Sequence, residues 1–240
     1  MTVKEKNGNG MVESMFKAGA HFAYARSRRH PSANPFIFGV KNRVEIFDLE
    51  KTAESLEKAK EFVRKLASEG KRILFVSGKN EAREAIKNGG NAIAMPNVPG
   101  RWIGGTFTNF PEIKKRLAKL EDLLSKKEKG ELEKYTKKER LLLDREMSNL
   151  EIYFGGITSM KDKEMPKAIV VIDPKREHIA VDEAHQVNIP VIALSGSDCD
   201  IKGIEYPVPG NDSSLSSIAF FVNQIVDAYR EGKKTIKPVS

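Results

Sequence analysis

The chain has a single cysteine, Cys199, in 240 residues. One thiol cannot close an internal disulfide, and a lone cysteine suits a reducing compartment. No apolar run approaches the roughly 18 residues that a membrane span needs. The first ten residues are polar and carry no apolar core, so no secretory signal is expected there. Tryptophan occurs once, as Trp102, and aromatic residues make up only 8% of the chain. Histidine occurs four times and never within ligand spacing of the cysteine. The Walker phosphate-loop spacing is missing, and so is the Gly-x-Gly-x-x-Gly dinucleotide pattern. Ser195-Gly196-Ser197 lacks the preceding Gly-x of a nucleophile elbow.

What is abundant is charge. Charged residues make up 31% of the chain and the formal net charge is +8, with a pI near 9.4. This favours a polyanionic partner. Residues 1–43 hold eight Lys/Arg and two Asp/Glu, a local +6. Within this stretch Arg26, Arg28, Arg29, Lys41 and Arg43 alternate with rings, and Pro31 and Pro35 forbid a continuous helix. The arginines read as phosphate contacts for a nucleic acid, and the aromatics read as core plugs.

The middle of the chain predicts a helical arm. Phe110, Ile113, Leu117, Leu120 and Leu124 form one apolar seam. Leu143, Met147, Leu150 and Phe154 form a second, behind a Thr136/Glu139 capping box. Of residues 111–150, 12 are Lys/Arg and nine Asp/Glu, so each helix has one apolar stripe and an otherwise solvated surface. The expected unit is an antiparallel coiled-coil hairpin over 110–150, inserted into a second domain.

That domain spans 11–109 and 151–231. Ile73–Val76 and Ala168–Ile172 are continuous apolar runs, the mark of buried parallel strands. Shorter strands are expected at 44–47, 93–95, 190–194 and 206–208. Helices are expected at 11–18, 49–68, 80–88 and 178–187, with a last one capped by Asn211-Asp212-Ser213 and running to about 230. The alternation predicts a doubly wound α/β sheet. Residues 20–42 are expected to be irregular, 1–10 disordered and 232–240 a loose basic tail.

Catalytic chemistry finds little support. Ser77-Gly78-Lys79-Asn80 sits where a phosphate could bind, and reads as an ordinary strand-to-helix turn or an RNA phosphate contact. Asp173, His178, Asp198 and Asp200 lie near strand ends, and read as turn and helix-start residues rather than metal ligands. Cys199 has no activating neighbour.

Several blocks then carry a resemblance. They are Ala18-Gly19-Ala20-His21-Phe22, Phe36–Arg43 running into Ile46–Thr52, and Arg101-Trp102-Ile103-Gly104-Gly105-Thr106-Phe107-Thr108-Asn109. Further blocks are Glu177–Ala180, Ile189–Ala193 and Pro209–Asp212. In this order, over about residues 11–230, the chain resembles the bacterial form of the ribosomal protein S-two family, the second protein of the small ribosomal subunit. It departs from that family's pattern at Ala23-Tyr24-Ala25, at Arg28–Pro31 and at Gly196–Ile201.

The resemblance implies a flavodoxin-like sheet with an inserted coiled-coil hairpin. It implies a structural component of the small subunit, on a cytoplasmic or organellar ribosome. The implied partners are small-subunit ribosomal RNA and neighbouring ribosomal proteins, including the large mRNA-binding protein S-one, with no catalysis, cofactor, metal or membrane. The residues expected on RNA are then Arg26, Arg28, Arg29, Lys41, Asn42, Arg43, Arg101, Trp102, Thr108 and Asn109. The competing expectation is a flavodoxin-like enzyme that binds a nucleotide or sugar phosphate at the 77–80 turn.

Overall fold

The computed structural model describes residues 3–161 and 164–235, the side chains of 3–9 excepted. In chain order the elements are α1 (Val3–Lys17), β1 (Phe22–Ala25), β2 (Ile37–Lys41), β3 (Val44–Phe47), α2 (Leu49–Ser68), β4 (Ile73–Val76), α3 (Arg83–Ala92) and β5 (Asn97–Val98). After these come α4 (Phe110–Glu128), α5 (Lys137–Phe154), β6 (Ala168–Ile172), α6 (His178–Gln186), β7 (Val191–Ser195), β8 (Tyr206–Pro209) and α7 (Leu215–Lys234).

Five strands form a parallel sheet in the order β5-β4-β6-β7-β8. Numbered within the sheet alone this is 2-1-3-4-5, the flavodoxin-like order. Period-two alternation sends successive residues of one strand to opposite faces. Ile73 and Phe75 enter one apolar cluster with residues of α2, α3 and α7. Leu74 and Val76 enter another with residues of α4, α5 and α6. Both central strands are buried along their whole length, which explains their unbroken apolar sequences.

The arm is present as α4 and α5. Gly130, at φ 71°, takes the left-handed conformation just beyond α4, a position that favours glycine. The capping box at Thr136 and Glu139 opens α5. Lys127–Asp144 at 3.3 Å and Lys119–Glu146 bridge the two helices. Ile113, Leu117, Leu120, Leu123, Met147, Leu150 and Phe154 share the cluster that includes Leu74 and Val76. The base of the arm is therefore continuous with the core of the body. Gly156 makes the return possible: a Cβ there would lie 2.0 Å from the Asn97 carbonyl oxygen of β5.

Four expectations need correction. Residues 20–42 are not irregular, because β1 and β2 flank β3 in an antiparallel sheet. These are short, half-exposed strands without an apolar run. The strand expected at 93–95 is a turn, with Ala94 at φ 54°. Pairing begins two residues later, where Phe75 and Val76 meet Asn97 and Val98. Pro96 and Pro99 flank the pair, and proline is tolerated there because the strand is an edge. Helix α1 begins at Val3 rather than Met11. Its last turns are anchored by the buried Met15, and a helix once nucleated propagates cheaply. At the other end α7 continues to Lys234, while residues 236–240 of the expected tail, like residues 1–2, lie outside the described residues.

Candidate nucleic-acid interface

Two separately organised segments carry the residues expected on RNA. The first is the small sheet of β1, β3 and β2. Asn42 (φ 53°) and Arg43 (φ 66°) join β2 to β3, and positive φ at both central residues is the type I′ hairpin turn. This turn holds Lys41, Asn42 and Arg43 exposed at its tip.

Arg26 and Arg28 are exposed on a single 3-10 turn. Arg28 lies over the Tyr24 ring, 4.5 Å from its centroid, and 3.8 Å from Asp198. Arg29 behaves differently. Its guanidinium donates to Glu45 at 2.7 Å, and Glu45 is fully buried. Arg29 therefore neutralises a carboxylate inside the subdomain, with its own side chain 20% exposed.

This segment is tied to the loop after β7. Tyr24 N donates to Ser197 Oγ at 3.0 Å, and His30 N donates to Ser197 O at 2.8 Å. Ile201 N donates to Ser32 Oγ at 3.1 Å. The stretches that depart from the resembled pattern, 23–31 and 196–201, are thus packed on each other.

The second segment is the loop 101–109, which is folded around one buried carboxylate. Glu183 Oε1 accepts from Trp102 Nε1 at 3.2 Å and from Gly105 N at 2.7 Å. Its Oε2 accepts from Phe107 N at 2.9 Å, and from Thr108 N and Oγ1 at 3.3 and 3.4 Å. Trp102 is only 5% exposed and packs on Phe107 with ring centroids 5.1 Å apart. It cannot reach a base, so its expected RNA contact is corrected to a structural one. Arg101, Thr108 and Asn109 remain exposed.

Glu183 was missed in the sequence, where a glutamate on a helix reads as solvated. A signal existed: it stands beside Ala180 and Ala184 on the buried face of α6, where the helical period calls for an apolar residue.

The sheet's topological switch point lies between β4 and β6, where this fold usually binds ligands. Here the protein fills it. Gly78 N donates to Glu177 Oε1 at 2.8 Å, so a carboxylate of the chain occupies the place of an anion. A Cβ at Gly78 would lie 2.6 Å from that oxygen. Burial raises the Glu177 carboxyl above the usual range, with the Gly78 N–H working the other way.

Beside it, Lys79 Nζ lies 2.8 Å from both Asp173 and Asp212. Burial opposes the Lys79 charge, but Asp212 and Asp173 outweigh it and hold the ammonium above the ordinary lysine value. Asp173, Asp212 and Cys199 offer ligand atoms within 4.8 Å of one another. The ammonium bonds both carboxylates, and burial pushes the thiol up to about 12. A cation is already supplied, and the sulfur is not a thiolate at neutral pH.

Compared with known proteins, residues 15–232 match the family model of Ribosomal protein S2. A Small ribosomal subunit protein uS2 from a Nitratiruptor species is 41% identical over 223 residues, covering 93% of this chain and 83% of the relative. The protein of the same name from Sulfurimonas denitrificans is 40% identical over 222 residues, covering 92% and 85%. That from Nocardia farcinica is 41% identical over 221 residues, covering 92% and 77%.

Proposed function

The chain belongs to the ribosomal protein S2 family, and from that premise we propose that it is a structural component of the small ribosomal subunit. It binds ribosomal RNA and neighbouring ribosomal proteins during translation. The observation that carries this reading is the extent of the match, which runs through the sheet, the arm and the basic segment alike. The enzyme alternative is disfavoured, because the switch point that would hold a nucleotide or sugar phosphate is closed by Glu177 and by the Lys79 ion pairs.

Arg26, Arg28, Lys41, Asn42 and Arg43 form one RNA-facing group, and Arg101, Thr108 and Asn109 a second. Their exposure supports the assignment, as does the charge of the first 43 residues. Arg29 and Trp102 support these groups from inside. No helix among the described residues is long and apolar enough to cross a membrane. We place the protein on the cytoplasmic ribosome, where its role is architectural rather than catalytic.

For protein neighbours, the outer face of α5 exposes Leu141, Leu142, Ile152 and Tyr153. Two exposed apolar pairs on a charged arm favour a protein contact, and the family resemblance makes the large protein S-one the neighbour to test there.

The test of RNA binding is the salt dependence of affinity for small-subunit ribosomal RNA. Each phosphate contact contributes a slope of about −0.7 to −0.9 in log K against log salt. Changing Arg26, Arg28, Lys41 and Arg43 together to Ala is expected to flatten the slope by about 2–4. An unchanged slope would contradict the assignment.

A further inference from the structure

Three rings at the start of the small sheet stand in a row. Phe16 stacks on His21 with centroids 4.4 Å apart and planes 12° apart. His21 in turn lies 4.0 Å from Phe22, tilted by 39°. Both outer rings face solvent, Phe16 at 61% and Phe22 at 50% exposure. Leaving two phenylalanines half in water forfeits about half of the roughly 1.5–3 kcal/mol that burying each would contribute.

The row is held by a rigid backbone. Gly19, at φ 73°, turns the chain out of α1. Ala20 N donates to Met15 O, Asn211 N to Ala20 O and Phe47 N to His21 O, all within 3.0 Å. Asn211 Nδ2 donates to Gly19 O at 3.0 Å, and Ser216 Oγ to Ala18 O at 2.8 Å. The rings are thus set in place from three sides before any partner arrives.

The small sheet that begins at Phe22 also carries exposed cations. Lys41 stands opposite Val44 at the end of the β2–β3 hairpin, in the same small sheet as Phe22. Lys41 and Arg43 are exposed there. His21 Nδ1 is shielded from water and has no hydrogen-bond partner. Exposed aromatic faces with flanking cations match a single-stranded nucleotide, whose base stacks while its phosphates meet the charges.

We propose that the Phe16–His21–Phe22 row is a stacking platform for an unpaired base of the ribosomal RNA. This rests on the reading of the basic segment as an RNA-binding face and adds the kind of RNA it takes: a looped-out or single-stranded nucleotide rather than a helix. Stacking needs only a π face, so the platform accepts any base.

The test uses the full chain, small-subunit ribosomal RNA, a 12-nucleotide oligo(A) and an RNA duplex of equal length. Changing Phe16→Leu and Phe22→Leu together keeps the apolar bulk and removes two rings. Affinity for the ribosomal RNA and for oligo(A) is expected to fall about 5- to 150-fold, the loss of one stacked base. The salt slope and the duplex affinity stay unchanged, because no charge is removed.

Lys41→Ala with Arg43→Ala is expected to flatten the salt slope. If that occurs while the leucine variant binds like wild type, the RNA face stands and the platform is overturned. If neither variant changes RNA binding, the RNA reading of this face fails and the platform with it. A leucine variant that binds RNA normally but fails to enter subunits overturns the proposal in favour of a protein partner. Phe22→Trp guards against a folding defect in the leucine variant. It is expected to keep its affinity and to show quenching by oligo(A) beyond that of Trp102 alone; the absence of that quenching overturns the proposal.

Discussion

Removing the carboxylate of Glu183 should loosen the 101–109 loop and lower the stability of the whole chain. In Glu183→Ala the two oxygens that collect Trp102 Nε1, Gly105 N, Phe107 N and Thr108 N disappear. Trp102 and Phe107 are each 5% exposed, so two donors are stranded in a dry interior at about 1–3 kcal/mol each. The donors of Gly105 and Thr108 lie nearer solvent and can turn to water. The expected loss is about 2–6 kcal/mol, against about 5–15 kcal/mol for a typical domain. At this chain length each kcal/mol moves Tm by about 2–4 °C, so a loss of about 4 kcal/mol lowers Tm by about 8–16 °C. Glu183→Gln should lose about half as much, because its carbonyl keeps one pair of donors while its NH2 faces the other. Trp102 is the chain's only tryptophan, so its emission reports the loop directly and should shift to the red in both variants. Melting within about 2 °C of wild type, under about 1 kcal/mol, with unchanged emission would refute the reasoning.

Three other outcomes are expected. Arg29→Ala leaves the buried Glu45 carboxylate without its partner and should cost about 3–5 kcal/mol; Arg26→Ala with Arg28→Ala should cost under about 0.5 kcal/mol, and denaturant midpoints separate the two. Replacing residues 118–146 with a short Gly-rich linker should leave a cooperatively melting α/β body. Extending the cut through Ile113 and Phe154 should not, because it removes Ile113, Leu117, Met147, Leu150 and Phe154 as well as Leu120 and Leu123 from the core shared with the sheet. For His21, burial and Lys41 hold the folded-state pKa below its unfolded value near 6.5. Its contribution is complete above that value and is lost as pH falls from there through the depressed folded pKa. His21→Phe should reduce the slope of stability against pH in that acid window, and an unaltered slope in an acid titration of the melting midpoint would count against this assignment.

The parts of the fold legible in the sequence are those where one rule acts alone. Ile73–Val76 and Ala168–Ile172 are apolar because both faces of each strand are covered. Thr136 and Glu139 form the capping box that their spacing announces. What was not legible depends on partners distant in the chain. Strands β1 and β2 are half exposed, and only the Asn42-Arg43 turn between β2 and β3 signals them, through the ease with which Asn adopts positive φ. Glu183 and Glu45 look like surface acids until the fold brings Trp102 and Arg29 to them. Trp102 and Arg29 therefore read like their neighbours Arg101 and Arg28, although Trp102 is buried and Arg29 is turned onto Glu45. The Ser77–Asn80 turn posed the reverse problem. Its amide is positioned for an anion, and the anion is Glu177, 99 residues away in the chain.

The central claim is that this chain is a built-in part of the small ribosomal subunit. The most direct test is sucrose-gradient sedimentation of an extract from cells that make it, at low magnesium so that the subunits separate. The protein is expected to travel in the small-subunit peak in amounts equal to other proteins of that subunit, and to remain there through a wash at moderate salt. Recovery at the top of the gradient, with small subunits complete without it, would contradict the account.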